Sequence, residues 1–333
     1  MPSDHHLLPD LEARGLLPPE QAATIAAFEQ TRPFSLHYEL RATLYFGITL
    51  LTAGLGVLIY QNIEHIGHGV VIGLIALLTL ACFAYATRYR QAFTWQEAPK
   101  AGVLPDYVLL LGCLTFLILE GYLQYQYEFF GTRYGLATIL PALLFFPLAY
   151  AFDHRGVLSM AITALAAWVG VSVAPLSVLS ETDFFHSRLG GAALALGLLL
   201  MGAGLYSEYQ DRKRHFGFTY LSLGSNLALL TATAMLLNGP YGSRFSPGLL
   251  CPLILALSCF LVWYARRTHS YLFLLMGIIY SYIVLTYGFF QLIDVMHSGE
   301  GVVFLALLYF AGSAVSVVLL FINIRKILGI HGS

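Results

Sequence analysis

Ten apolar stretches, each close to twenty residues long, constrain the fold of this chain more than any other feature of its sequence. A helix needs about 20 apolar residues to cross the roughly 30 Å hydrocarbon core of a bilayer. Strands of a membrane barrel are about ten residues long and alternate in polarity, so these lengths predict helices. The stretches cover residues 43–61, 68–87, 105–126, 134–152, 156–175, 189–207, 216–237, 248–265, 271–293 and 302–324. The sequence therefore predicts an all-α, polytopic integral membrane helical bundle with about ten transmembrane helices.

The composition excludes several functional classes. Hydrophobic residues make up 58% of the 333 residues and charged residues 11%, which fits no class of soluble protein. A net charge of −1 without a basic block predicts no nucleic-acid partner, because phosphate binding needs clustered Lys and Arg. The four cysteines lie inside apolar stretches, which argues against a disulfide framework or a metal site. The sequence contains no phosphate-binding loop and no hydrolase or zinc-protease motif, so it predicts no cofactor.

The positions of the basic residues predict the orientation. Cytoplasmic loops of membrane proteins retain Lys and Arg close to the membrane. If the amino terminus is cytoplasmic, only three of the 17 Lys and Arg residues fall in outer loops, namely Arg133, Arg188 and Arg244. One span more or fewer would invert all later loops and remove this bias. We therefore expect ten spans with both termini in the cytoplasm.

The regions outside the spans are short. We predict a cytoplasmic helix pair and linker over residues 1–42, a membrane domain over 43–325 and a cytoplasmic tail over 326–333. Gly15 is a plausible end for a first helix, and Pro18 or Pro19 a plausible start for a second. Residues 1–35 would bind a cytoplasmic protein partner or lie as an amphipathic collar at the membrane surface.

The segment "LEARGLLPPEQAATIAAF", followed by "LYFGITLLTAGLGVLIYQNIEHIG", resembles the start of the bacterial predicted membrane protein family called domain of unknown function 2157. In that family a Gly-Leu-hydrophobic, Glu-Gln-Ala segment precedes a first span that ends in a short Asn-Trp-Asp type turn. Asn62, Glu64 and Ile66 occupy comparable places here, while Ile63 stands at the position of the tryptophan. The resemblance covers roughly the first 85 residues. It implies a bacterial inner-membrane location and no particular chemistry.

Polar side chains interrupt the third apolar stretch near its predicted outer end. Glu120, Gln124 and Glu128 are spaced by four residues and therefore share one face of a helix. At 1.5 Å per residue, Glu120 lies about 24 Å from the cytoplasmic entry of the span. A carboxylate on a lipid-facing surface is unfavourable, so the stripe predicts an interhelical cleft open to the outside. Alternatively, the helix leaves the membrane early, and the surrounding Tyr and Phe residues form an interfacial aromatic belt.

Four more residues are candidates for the other walls of this cleft. Glu64 and His65 follow the first span, and Gln291 and Asp294 close the ninth. A carboxyl group inside a span can carry a proton, so a proton-coupled role for Glu120 is one hypothesis. His65 and His68 lie in a glycine-punctuated loop without a fixed third ligand, and no metal site is predicted there.

Three functions are compatible with these features. The favoured one is a transporter- or permease-like protein for a small or amphipathic solute. The second is a non-catalytic membrane scaffold or envelope sensor whose amino-terminal helices bind a cytoplasmic partner. The third, not favoured, is an enzyme acting on lipid-linked substrates at the outer leaflet with Glu64, Glu120 or Asp294 as acid or base. In each case the lipid bilayer is the principal partner.

Overall fold

A computed structural model describes residues 37–98, 102–131, 133–173, 187–237, 245–296 and 301–324, together with residues 18 and 21. Within these ranges the chain forms ten helices and no strand. They are α1 His37–Ile66, α2 His68–Arg88, α3 Val103–Tyr127, α4 Tyr134–Phe152, α5 Arg155–Val173, α6 Ser187–Tyr209, α7 Arg214–Leu237, α8 Pro247–Thr268, α9 Tyr271–Met296 and α10 Gly301–Ile322. The predicted all-α fold is confirmed.

Eight of the described helices, α2 to α9, are long and apolar enough to cross a membrane. In α1 and α10 the described apolar segments, Ala42–Leu58 and Phe304–Leu320, are shorter, although the helices themselves have 30 and 22 residues. A multi-pass membrane protein is thus confirmed. Membrane crossing by α1 and α10 and the cytoplasmic position of the termini stay predictions.

Three helices end immediately before a residue in the left-handed conformation. Glu128, Asp153 and His269 have φ angles of 46°, 56° and 51° and follow the last turns of α3, α4 and α8. A left-handed residue at this position lets its N–H bond to a carbonyl of the last turn and stops the helix. Helix α4 ends at the predicted residue 152, whereas α3 and α8 extend one and three residues beyond the predicted ends at 126 and 265.

Contacts divide the chain after Leu55 into two compact units. The first holds the amino-terminal part of α1, and the second comprises residues 56–333. Every feature described below lies in the second unit. The predicted helix pair and the predicted tail fall in residues 1–36 and 325–333, which, apart from residues 18 and 21, lie outside the described residues.

Consecutive helices of the second unit pack as hairpins. The most extensive contacts join α2 to α3, α4 to α5, α6 to α7 and α8 to α9. Helix α7 also contacts α5, α8 and α9 and is the most buried helix among those described. One apolar core forms around α7, α8 and α9, and a second forms where α3, α4, α5 and α7 meet. The seams between hairpins are less tightly packed than the hairpins themselves.

Candidate functional site: the Glu120 cleft

The seam between α3 and α4 holds a cleft of about 450 Å³. These two helices are consecutive, yet they contact each other far less than α3 contacts α2 or α4 contacts α5. We call this space the Glu120 cleft. Its lining residues are Leu117, Glu120, Gly121, Gln124, Tyr125, Glu128, Tyr134 and Ala137. Sites for small molecules are typically about 300–1,000 Å³ in volume, so the cleft has the size of a solute site.

Glu120 lies in the wall of this cleft and is only 6% exposed. Its Oε1 atom is buried and has no hydrogen-bond partner among the described residues. A buried carboxylate oxygen without a partner carries a desolvation penalty of several kcal/mol, which a ligand or a proton could relieve. Glu120 therefore has hydrogen-bonding capacity that no described residue uses.

The turn after α3 shapes the mouth of the cleft. Gln124 accepts a hydrogen bond from the Phe130 N–H at 2.9 Å and donates one to the Gly131 carbonyl at 3.1 Å. The N–H of Glu128 donates to the Gln124 carbonyl at 3.0 Å, which closes the last turn of the helix. Gln124 thus holds the turn against its own helix, and both polar atoms of its side-chain amide are engaged.

The other residues predicted to line a cleft are placed differently. Gln291 and Asp294 lie on α9, are exposed, and are not among the residues lining the Glu120 cleft. The Gln291 side chain donates to the Tyr287 hydroxyl of its own helix at 3.1 Å. Glu64 and His65 lie in the last turn of α1, and their side chains are outside the described part of the molecule.

His68, by contrast, contacts the end of α3 that contains Glu120. Its Nδ1 lies 2.7 Å from the Tyr122 hydroxyl, two residues beyond Glu120. Among the side chains that the structure describes, no group of three His, Cys, Asp or Glu residues could hold a metal ion. The start of α2 is thus joined to the end of α3.

The opposite end of α3 and α4 is closed by a buried ionic cluster. Asp153, in the two-residue turn after α4, has a side chain only 8% exposed. Its Oδ1 lies 2.7 Å from the Lys213 Nζ and 2.6 Å from the His215 Nε2, and its Oδ2 accepts the Ala98 N–H at 2.7 Å. We call these four groups the Asp153 cluster. It ties together the α2–α3, α4–α5 and α6–α7 connections.

The surroundings of Asp153 favour its charged form. Burial alone would raise the pKa of this carboxyl group. The hydrogen bonds from Lys213 and Ala98 and the positive charges of His215 and Lys213 outweigh burial, so the pKa of Asp153 lies below its ordinary value. Lys213 is 2% exposed, and its backbone N–H donates a hydrogen bond to the Trp95 carbonyl at 2.6 Å. The cluster is thus a buried and well-satisfied ion pair.

An aromatic contact separates the two ends of the seam. The rings of Phe116 on α3 and Phe145 on α4 meet edge to face, with centroids 5.9 Å apart, and Phe145 is fully buried. By residue order they lie between the Glu120 cleft and a small cavity of about 50 Å³ beside Asp153. The seam is therefore open near Glu120 and closed beyond Phe116.

Reasoning from sequence missed the Asp153 cluster. From the sequence, Lys213 is one of the basic residues predicted to lie on the cytoplasmic side, and nothing in the sequence predicts that the structure buries it in the protein. One signal was present: Asp153 stands in a two-residue turn between two long apolar stretches, where it cannot move far from the membrane surface. Its partners Lys213 and His215 are 60 and 62 residues away in the chain, so no local sequence pattern predicts the contact.

Comparison with protein-family models gives a match. The family model described as Predicted membrane protein (DUF2157) matches residues 9–158. Over this range, which is less than half of the chain, the protein is similar to the DUF2157 family. The resemblance expected from the first 85 residues is confirmed, and the DUF2157 match extends through α3 and α4, so it includes the Glu120 cleft and Asp153 but not Lys213 or His215. No curated protein and no solved structure matches the chain.

Proposed function

We propose that this protein is a permease-like carrier of the bacterial inner membrane that binds a small solute in the Glu120 cleft. The observation that carries the proposal is the buried Glu120 oxygen without a partner in the wall of a cleft of about 450 Å³. Ionisable groups inside membrane helices are costly, and they commonly mark solute or ion pathways.

The asymmetry of the seam supports the same function. A carrier needs a site that opens to one side at a time, and here the α3–α4 seam is open beside Glu120 and closed by Phe116, Phe145 and the Asp153 cluster. Helix α4 contains Pro141 and Pro147, each of which removes a backbone hydrogen bond and permits bending. Movement of the α4–α5 hairpin against α3 would open the closed end.

The test compares solute uptake by wild type and by a variant with a filled cleft. Ala137 lines the cleft and carries no charge, so Ala137→Trp would occupy the space without altering Glu120. Proteoliposomes are incubated with a defined mixture of small amines, amino acids, polyols and carboxylates, and the trapped solutes are measured by mass spectrometry. We expect at least one class to enter wild-type vesicles several times faster than Ala137→Trp or protein-free vesicles.

Equal uptake of every class by wild-type and Ala137→Trp vesicles would remove the carrier hypothesis. The scaffold function, which places the activity in residues 1–35, would then be the stronger hypothesis. Membrane insertion of both proteins is checked by their recovery in the vesicle fraction and by equal elution in size-exclusion chromatography.

A further inference from the structure

The charged groups that line the Glu120 cleft are carboxylates. Its lining contains the carboxylates of Glu120 and Glu128 and, within the residues that the structure describes, no Lys, Arg or His. The side-chain amide of Gln124 is already bonded to the turn that follows α3. An anionic solute would meet two carboxylates and no positively charged lining residue, so the charges of the lining favour a cation over an anion.

The cleft also fits an organic cation better than a metal ion. Glu120 and Glu128 are eight residues apart, and a helical rise of 1.5 Å per residue separates them by roughly 12 Å along the axis. One carboxylate with no second oxygen ligand close by does not build the coordination shell of a divalent cation. Apart from Gln124, the remaining lining is the apolar and aromatic surface of Leu117, Gly121, Ala137 and the rings of Tyr125 and Tyr134.

Aromatic rings and a carboxylate together are the usual partners of an ammonium group. A cation over a tyrosine ring gains about 0.5–2 kcal/mol, and the gain is larger where water is excluded. Glu120, at 6% exposure, offers a charge-assisted hydrogen bond, and Tyr125 and Tyr134, which are 82% and 42% exposed, are accessible to a ligand. We infer that the Glu120 cleft binds a small monovalent alkylammonium group, with Glu120 as its counterion and Tyr125 and Tyr134 against its alkyl part.

This inference rests on the proposed function for its biological meaning, but it is tested by binding alone. The probe is butylammonium chloride, titrated calorimetrically into the full-length protein in nanodiscs of phosphatidylglycerol, which carries no amine. Butyramide and butyrate also have a four-carbon chain, and they are neutral and anionic, respectively. We expect butylammonium to bind at least ten-fold more tightly than either of them.

Two variants locate the site, and one serves as a matched control. Glu120→Gln removes the charge while retaining the shape, and it should weaken butylammonium binding at least ten-fold; Ala137→Trp should do the same by filling the cleft. Asp106→Asn removes one carboxylate from the other end of the same helix and should leave the affinity unchanged. Butyramide binding as tight as butylammonium binding, or an unchanged affinity in Glu120→Gln, would overturn the inference.

An ammonium group can come from a free amine or from the headgroup of phosphatidylethanolamine. Repeating the titration in nanodiscs that contain phosphatidylethanolamine separates these sources. A reduced apparent affinity for butylammonium assigns the site to the lipid headgroup, and an unchanged affinity assigns it to a soluble amine. Both outcomes support ammonium chemistry.

The results also separate this inference from the proposed function. If butylammonium binds in a way that depends on Glu120 but no solute is taken up, the ammonium site is supported and the carrier function is contradicted. If Ala137→Trp abolishes the uptake of a neutral solute and butylammonium does not bind, the carrier function is supported and the ammonium site is contradicted. If Glu120 serves only to take up a proton, butylammonium will not bind at any pH between 6 and 9, and the inference fails.

Discussion

At the scale of single residues, two buried carboxylates show opposite surroundings. Asp153 accepts hydrogen bonds from Lys213, His215 and the Ala98 amide, whereas the Oε1 of Glu120 has no partner among the described residues. A carboxylate whose bonds are all made within the protein stabilises the fold, and one that is left without a partner is available to a ligand. Both carboxyl groups are buried, so it is the presence or absence of hydrogen-bond partners that distinguishes the structural role of Asp153 from the candidate binding role of Glu120.

Removing the cation of the Asp153 cluster should destabilise the protein strongly. Lys213→Met keeps the length of the side chain but leaves Asp153 buried without its ammonium partner, so the free energy of unfolding should fall by about 3–5 kcal/mol. The measurement is unfolding in mixed micelles followed by circular dichroism.

The double variant Lys213→Met/Asp153→Asn tests the cause of that loss. Asparagine tolerates the left-handed backbone of residue 153, whose φ is 56°, and it removes the charge that Lys213→Met leaves without its ammonium partner. The double variant should therefore recover part of the loss. A double variant that loses as much as the sum of the single variants would show that the two side chains do not act as a pair.

The lowered pKa of Asp153 predicts the pH dependence of stability. A carboxyl group whose pKa is lower in the folded state stabilises the fold at pH values above its unfolded pKa of about 3.9, and this stabilisation is lost as the pH falls through the folded pKa. The Tm of the wild type should therefore fall more steeply than that of Asp153→Asn as the pH is lowered from 5 to 2.5. Parallel curves for the two proteins would contradict the assignment.

At the scale of helices, close packing of α6 against α7 depends on two glycines that face each other. A Cβ atom on Gly224 would lie 2.9 Å from the Gly197 carbonyl oxygen and 2.9 Å from the Met201 amide nitrogen. One on Gly197 would lie 2.7 Å from the Ala228 amide nitrogen. Small residues allow membrane helices to approach closely, and backbone atoms cannot move aside as a flexible side chain can. This contact places α7 at the centre of the second unit.

Adding a methyl group at this contact should destabilise the α6–α7 hairpin. Gly224→Ala should lower the free energy of unfolding by about 1–3 kcal/mol, the usual cost of overpacking. Gly202 on the neighbouring α6 has open space around its Cβ position, so Gly202→Ala is the matched control and should be neutral or slightly stabilising. Equal effects of the two substitutions in micelle unfolding would contradict the close approach.

The same scale explains where the Glu120 cleft lies. Helices α3 and α4 each have a stronger partner in the adjoining hairpin, so their mutual interface is the less filled one. The polar residues on α3 could be recognised from the sequence as one face because they are spaced four residues apart. That α4 would supply Tyr134 and Ala137 to the same cleft was not predicted, because it depends on which helices pair most extensively.

At the scale of the whole second unit, the connections that are predicted to be cytoplasmic meet one another. The Asp153 cluster joins the α2–α3, α4–α5 and α6–α7 connections, and Tyr264 near the end of α8 donates a hydrogen bond to Glu208 near the end of α6. His68 and Tyr122, at helix ends predicted to be outside, also meet. The alternation of helix directions therefore agrees with the predicted topology, while the side of the membrane on which each end lies stays a prediction.

The accessibility of engineered cysteines will determine on which side of the membrane each helix end lies. In a background with Cys82, Cys113, Cys251 and Cys259 replaced, we expect Gln210→Cys to be labelled only after permeabilisation of the inner membrane. Phe129→Cys, in the exposed turn after α3, should react with a membrane-impermeant maleimide added outside. The reverse pattern would invert the orientation and make the Glu120 cleft open toward the cytoplasm.

The sequence by itself determined that the chain forms apolar helices that cross a membrane, and it located the polar face of α3. Hydropathy summed over about twenty residues is a local property, and the bilayer acts on each stretch separately. The tertiary structure alone decided that Asp153 meets Lys213 and His215, and that Glu120 lies in a seam instead of a filled interface. The physical reason is that lateral pairing of helices depends on small residues and shape complementarity between segments far apart in the chain, as at Gly197 and Gly224, and no stretch of sequence carries that information alone.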